Sequence, residues 1–274
     1  MKKILNRAKI FLSLTLVLLC VACSDDGGGG GINDGGGNSV STDGKGGSMA
    51  RFSIAGDMLY TVSVSQLKQF NIADPADPKY TDLRDINIGN NIETIFPVDT
   101  VLYIGSQDGM YIYDIKDPRF PEKIGSVSHI RSCDPVVVEG NYAYITLNTN
   151  YSACGASPNN VLIIYDVHDQ RKPVELKTIS LSGPQGLGAD GDLLFVCDKG
   201  LKIFDISHPE QKETIKQIGD LADVDGAEYI RAAYDVIPAN GLLMMVANEG
   251  LFLFDYSNFS VSKNLTFLGK IEKQ

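Results

Sequence analysis

The chain has 274 residues, a formal net charge of −10, five cysteines, three histidines and no tryptophan. An acidic chain of this kind is repelled by phosphate backbones, which excludes nucleic acid as a partner. The histidines, His129, His168 and His208, are scattered and no CxxC motif occurs. No zinc site is therefore expected, and no cofactor.

Residues 1–22 read as an export leader. Lys2, Lys3, Arg7 and Lys9 form a basic start without an acid, and an apolar run from Ile10 to Leu19 is broken only by Ser13 and Thr15. That run is too short for a spanning helix, which needs ~20 residues. Losing those four basic residues with the leader takes the formal charge from −10 to −14. Cys20-Val21-Ala22-Cys23 resembles the lipobox of bacterial lipoproteins, with Cys20 where that pattern prefers Leu. The resemblance implies that Cys23 is the lipidated mature N-terminus, carrying two or more acyl chains (palmitate among them), enough for stable anchoring. Residues 23–48 read as a disordered Gly-rich tether with an r.m.s. reach of roughly 25–30 Å. Ser24-Asp25-Asp26, directly after the cysteine, resembles a signal for display on the outer face of the outer membrane.

From residue 49 onward the sequence repeats. The lines Leu67–Ile72, Met110–Ile115, Leu162–Val167, Leu201–Ile206 and Leu251–Tyr256 share one pattern, with aromatics at 70, 113, 165, 204 and 254. A period of 40–50 residues in an all-strand chain signals propeller blades. Each unit reads as four strands, a to d. A tight a–b turn (Gly56-Asp57, Asp99-Thr100, Gly140-Asn141, Gly191-Asp192, Asn240-Gly241) precedes an apolar strand b. The expectation is an all-β, five-bladed propeller of four-stranded antiparallel blades, at about 49–90, 91–130, 131–182, 183–220 and 230–272. Strand a of the first unit and strand d of the last are both present, so blade packing is expected to seal the ring without strand exchange.

The strand c line followed by Asp-Pro resembles the LVIVD repeat family of bacterial propellers. The matches are Asp114-Ile115 to Asp117-Pro118, Asp166-Val167 with Pro173 beyond, Asp205-Ile206 to His208-Pro209, and Ile72 to Asp74-Pro75. The pattern departs at Asn71 and at Asn258-Phe259. The resemblance implies an exported or cell-surface propeller and brings no assigned active site. The repeated Asp is expected to accept backbone N–H bonds in the turn after strand c, not to ligate metal.

Two insertions lengthen the repeat: Asn148–Asn160 between strands b and c of blade 3, and Gly219–Ala232 ahead of blade 5. Propeller topology puts both on the face where strands a begin, here the top. Long connections of this kind are often functional. The same topology brings Cys133 and Cys154 to the top, where a disulfide is expected, worth ~3 kcal/mol by loop closure. Cys197, in strand b of blade 4, reads as a buried apolar residue. The candidate binding face comprises Arg51, Glu93, Asp134, Tyr151, Gln185, Tyr229, Tyr234 and Asp235. Asp223-Val224-Asp225-Gly226 is a fragment of a calcium loop without the downstream spacing, so Ca²⁺ is possible but unsupported. No catalytic constellation is visible. The favoured reading is a non-enzymatic module binding a protein or glycan through the top. The competing readings are a glycan hydrolase using Glu93, Asp134 and Asp235, or a structural subunit of an envelope complex.

Overall fold

Runs of five or six residues alternating between two faces, cut by turns rich in Gly, Asp and Asn, favour strands over helices. The computed structural model describes residues 46–80, 85–129, 135–150, 160–227, 230 and 232–272. Blade 1 holds β1 (Phe52–Ala55), β2 (Met58–Val62), β3 (Gln66–Asn71) and a divided outer strand, β4 (Lys79–Tyr80) and β5 (Ile86–Asn87). Blade 2 holds β6 (Ile92–Val98), β7 (Val101–Ser106), β8 (Gly109–Asp114) and β9 (Glu122–Ser128). Blade 3 holds β10 (Val136–Glu139), β11 (Tyr142–Leu147), β12 (Val161–Asp166) and β13 (Val174–Ser180). Blade 4 holds β14 (Pro184–Asp190), β15 (Leu193–Asp198), β16 (Leu201–Asp205) and β17 (Lys216–Asp220). Blade 5 holds β18 (Ala233–Ala239), β19 (Leu242–Ala247), β20 (Gly250–Asp255) and β21 (Thr266–Glu272). Each blade is one antiparallel sheet in chain order. This is the expected five-bladed propeller, and among the described residues no strand passes from one blade's sheet into another's.

The a–b turns require left-handed backbone at one repeated position: φ is 56° at Gly56, 49° at Asp99, 57° at Gly140, 55° at Gly191 and 52° at Asn240. Gly, Asn and Asp are the residues that tolerate it. The residue ending each strand c plays the expected local role. Oδ1 of Asn71, Asp114, Asp166, Asp205 and Asp255 accepts the backbone N–H two residues on, at 2.7–3.0 Å. The next residue's N–H bonds back to the a–b turn, at 2.8–2.9 Å in all five blades. The Lys116 N–H holds the Asp114 carboxyl below the usual carboxylate range, and the hydroxyls of Ser207 and Ser257, with their backbone N–H groups, do the same for Asp205 and Asp255. The repeated acid is a turn clamp.

The core lies in the seams between blades. One apolar cluster joins blades 1 and 2, another blades 2 and 3, another blades 3 and 4, and the largest blades 4 and 5. Among the described residues none joins blade 5 to blade 1. The repeat provides an internal control. The strand b residue facing the following blade is Tyr60, Tyr103, Tyr144 or Phe195 in blades 1–4, at most 2% exposed. Its equivalent in blade 5, Met244, is only half-buried. The residue facing the preceding blade is fully buried as Leu102, Ala143, Leu194 and Leu243, yet its equivalent in blade 1, Leu59, is half-buried. Beside these lie Phe52 and Ile54 of blade 1 and Val246 and Ile271 of blade 5, all exposed. Among the described residues, blade packing therefore does not seal the fifth seam with apolar core as expected.

The second insertion also differs from expectation. It begins with a 3₁₀ turn, Leu221–Asp223, capped by Asp220, whose Oδ1 accepts the Ala222 N–H at 3.0 Å. Three successive turns follow, in which the N–H groups of Val224, Ala227 and Ile230 bond to the carbonyl three residues back. A turn that repeats every third residue puts Leu221, Val224, Ala227 and Ile230 on one side, and all four are buried in the seam between blades 4 and 5. Asp223 and Asp225 point to solvent. The described part of the segment fills core.

Candidate functional site

Strands a of blades 2–5 surround the axis. Between them lies a cavity of 180 Å³ lined by Phe96, Val138, Leu187, Val236 and also by Gly46. The chain ahead of β1 thus enters the ring itself, as a strap over Gly46–Ala50. Ser48, assigned to the tether by sequence, is 1% exposed. Its hydroxyl donates to Asp235 Oδ1 at 2.9 Å and accepts the Leu187 N–H at 2.8 Å, linking blades 5 and 4. The Met49 N–H points at Asp235 Oδ2 at 3.4 Å. On the far side, the Ala50 carbonyl accepts the Ile95 N–H of blade 2 at 2.9 Å, and Arg51 Nη2 donates to the Ile92 carbonyl at 2.8 Å.

The strap lies close to Asp235 because no side chain intervenes. A Cβ on Gly47 would sit 2.1 Å from Asp235 Oδ2, and one on Gly186 would sit 2.2 Å from Oδ1. Burial pushes the Asp235 carboxyl up to about 6, against the donors that favour its charged form.

Above the strap, a depression of 370 Å³ opens at the channel mouth, lined by Met49, Arg51, Glu93, Thr94, Pro135, Asn148, Pro184 and Gln185. Three of the residues expected on the binding face, Arg51, Glu93 and Gln185, meet here. They come from the residue ahead of strand a in blade 1 and from the starts of strands a in blades 2 and 4, which explains why residues 134 apart along the chain share one wall. Glu93 accepts a hydrogen bond from Gln107 Nε2 at 3.0 Å. Asp235 is not on this wall, because it lies beneath Ser48 and Met49. Tyr234 donates its hydroxyl to Asn248 and does not line the depression. Asp134, Tyr151 and Tyr229, the Cys133–Cys154 disulfide and the anchor Cys23 fall outside the described residues. Cys197 is buried and unbridged, and burial raises its thiol pKa, as suits an apolar filler.

Sequence reading missed the asparagines at the base of the first insertion. Asn148, 5% exposed, donates Nδ2 to the Pro184 carbonyl at 2.7 Å and accepts the Asn150 N–H at 2.9 Å. Asn160 Nδ2 donates to Asn150 Oδ1 at 2.8 Å and to the Ser182 carbonyl at 2.9 Å. The clustered Asn residues in Asn148-Thr149-Asn150 and Asn159-Asn160 were the available signal. They fix where the inserted loop leaves the mouth.

No curated protein matches the sequence. Among solved structures, the chain resembles AztD of Citrobacter koseri at 15% identity and a TM-score of 0.55, over 80% of this chain and 61% of that one. It resembles the periplasmic gluconolactonase PpgL of Pseudomonas aeruginosa at 13% identity and 0.58, over 79% and 68%. A functionally unknown protein from Desulfotomaculum acetoxidans matches at 12% and 0.57, over 81% and 69%. The chain spans about three-fifths of AztD and of a chain in a mitotic checkpoint complex. At such identities these likenesses speak to the fold alone. The LVIVD repeat itself matches residues 130–179 and 185–211, which cover blade 3 and the inner strands of blade 4. The chain thus carries the LVIVD repeat in its third and fourth units, and its fold is a five-bladed β-propeller.

Proposed function

We propose that this protein is a cell-envelope lipoprotein, lipid-anchored to the bacterial outer membrane through Cys23 and facing the exterior. Its propeller acts as a non-enzymatic binding module for a protein or glycan. The observation that carries the binding reading is the mouth depression, where Arg51, Glu93 and Gln185 from three blades join Asn148 at the root of the inserted loop. A concave site with a few convergent polar groups between apolar walls is the common form of a recognition site. Met49, Pro135 and Pro184 provide those walls. The hydrolase reading loses support at Asp235, since a carboxylate committed to Ser48 and Met49 is not poised beside a substrate.

The test is capture of partners from intact cells by the tethered protein, compared with an Arg51→Glu/Gln185→Arg variant and with a chain lacking 149–159. Loss of the same partner in both variants is expected. A partner profile unchanged in both removes the mouth from consideration. Labelling with a palmitate analogue, lost in Cys23→Ala, tests the anchor separately.

A further inference from the structure

We infer that the strap Gly46–Ala50 is the latch that closes this propeller, tying strand a of blade 5 to those of blades 4 and 2 across the axis in place of direct packing between blades 5 and 1. Three observations converge. The fifth seam is the one without an apolar cluster among the described residues, although Phe52, Ile54, Val246 and Ile271 stand exposed on its two sides. Bonds of the strap cross the axis beside it: Leu187 N–H to Ser48, Ser48 to Asp235, and Ile95 N–H to Ala50. Two glycines on different elements, Gly47 and Gly186, leave the space that this contact needs. Asp235 faces Ser48 and Met49 from the strap, Gly186 from β14 and the Cys197 thiol of β15.

The latch has a consequence for the mouth. Met49 and Arg51, the strap's last part and the residue after it, form one wall of the depression. Release of Ser48 from Asp235 therefore frees blade 1 from blade 5 and removes that wall in the same event. The chain ahead of Gly46 is also the link to the proposed anchor, so tension on that link bears first on the latch. This consequence rests on reading the depression as the binding surface, but the latch itself does not.

Hydrogen exchange of the full chain, resolved by segment, tests the latch without a ligand. Two variants weaken it by different routes: Ser48→Ala removes the hydroxyl relay, and Gly47→Ala places a Cβ against the Asp235 carboxylate. Both are expected to speed exchange about tenfold or more in blades 1 and 5, with blade 3 and its seams unchanged. Ser106→Ala, which removes another fully buried hydroxyl bonded within blade 2, is expected to act on blade 2 and leave blade 5 alone. Unchanged exchange in both strap variants, or an even loss over all five blades, overturns the latch. Either result leaves the binding reading intact, because that is scored by partner capture.

Discussion

The four seams packed blade on blade and the fifth, between blades 5 and 1, are built from the same repeat and differ in what holds them. In the packed seams, strand b is buried on both faces: every residue of β7 is buried, and all but the first of β11 and β15. In the end blades the same strand alternates, buried toward its one neighbour and half-buried or exposed on the other side. Identical local sequence rules thus give core or surface according to whether a neighbour is present. A repeat buries its faces only by stacking, so the end units carry the deficit. Here a strap with one serine meets it at the axis, where it ties three blades by hydrogen bonds and not by apolar area.

The largest test of that contrast compares equivalent leucines. Leu102→Ala hollows a fully buried site in the seam of blades 1 and 2 and is expected to cost about 2–5 kcal/mol in chemical denaturation. Leu59→Ala removes the same side chain from the half-buried face of blade 1 and is expected to cost about 1 kcal/mol. Equal losses would mean that the fifth seam is packed after all.

A smaller effect separates the strap from the packed seams by pH. The Asp235 carboxyl has a folded-state pKa raised to about 6 by burial. A raised value means that the neutral acid is the form the fold favours. Its contribution is present at pH values below the ordinary carboxylate range and is lost as pH rises through about 6. A shift of that size is worth on the order of 3 kcal/mol over the whole titration. Stability measured from pH 5 to pH 8 should therefore fall, and Asp235→Asn should flatten the fall. An Asn variant that retains the full slope assigns the titration elsewhere.

The blades, their order and their turns were legible because each depends on neighbours in sequence: the aromatic-Asp line, the Gly/Asn/Asp a–b turns and the apolar strand b. The turn role of Asp114 and its equivalents was legible for the same reason. Arg51, Glu93 and Gln185 were reachable by aligning on the a–b turns, since a propeller places equivalent positions around one mouth. Ser48 was not, because nothing local distinguishes a buried serine in a Gly-rich run from a solvated one. Asp235 looked like a channel-mouth acid, and only the strap shows why it is withdrawn. The core role of 219–232 was open to reading, since Leu221, Val224, Ala227 and Ile230 recur every third residue. Acids drew attention to the segment, yet its apolar period decides its place.

The finest test stays within the packed seams and uses the tyrosines that face the following blade. Tyr60 is buried and donates its hydroxyl to the Pro118 carbonyl in the next blade's c–d turn at 2.9 Å. Tyr144 occupies the equivalent position one seam further round, is equally buried, and its hydroxyl has no partner among the described residues. Removing one member of a satisfied pair costs the bond and strands the other member, about 1 kcal/mol or somewhat more. Removing a hydroxyl that was buried without a partner takes away a desolvation cost instead. Tyr60→Phe is therefore expected to lower stability by about 1 kcal/mol, and Tyr144→Phe to leave it unchanged or raise it slightly. Both changes keep the ring and the seam's apolar contacts, so the difference isolates the hydroxyl. If Tyr144→Phe destabilises as much as Tyr60→Phe, its hydroxyl has a partner in solution, and the seam of blades 3 and 4 holds a polar contact of the same kind as the seam of blades 1 and 2.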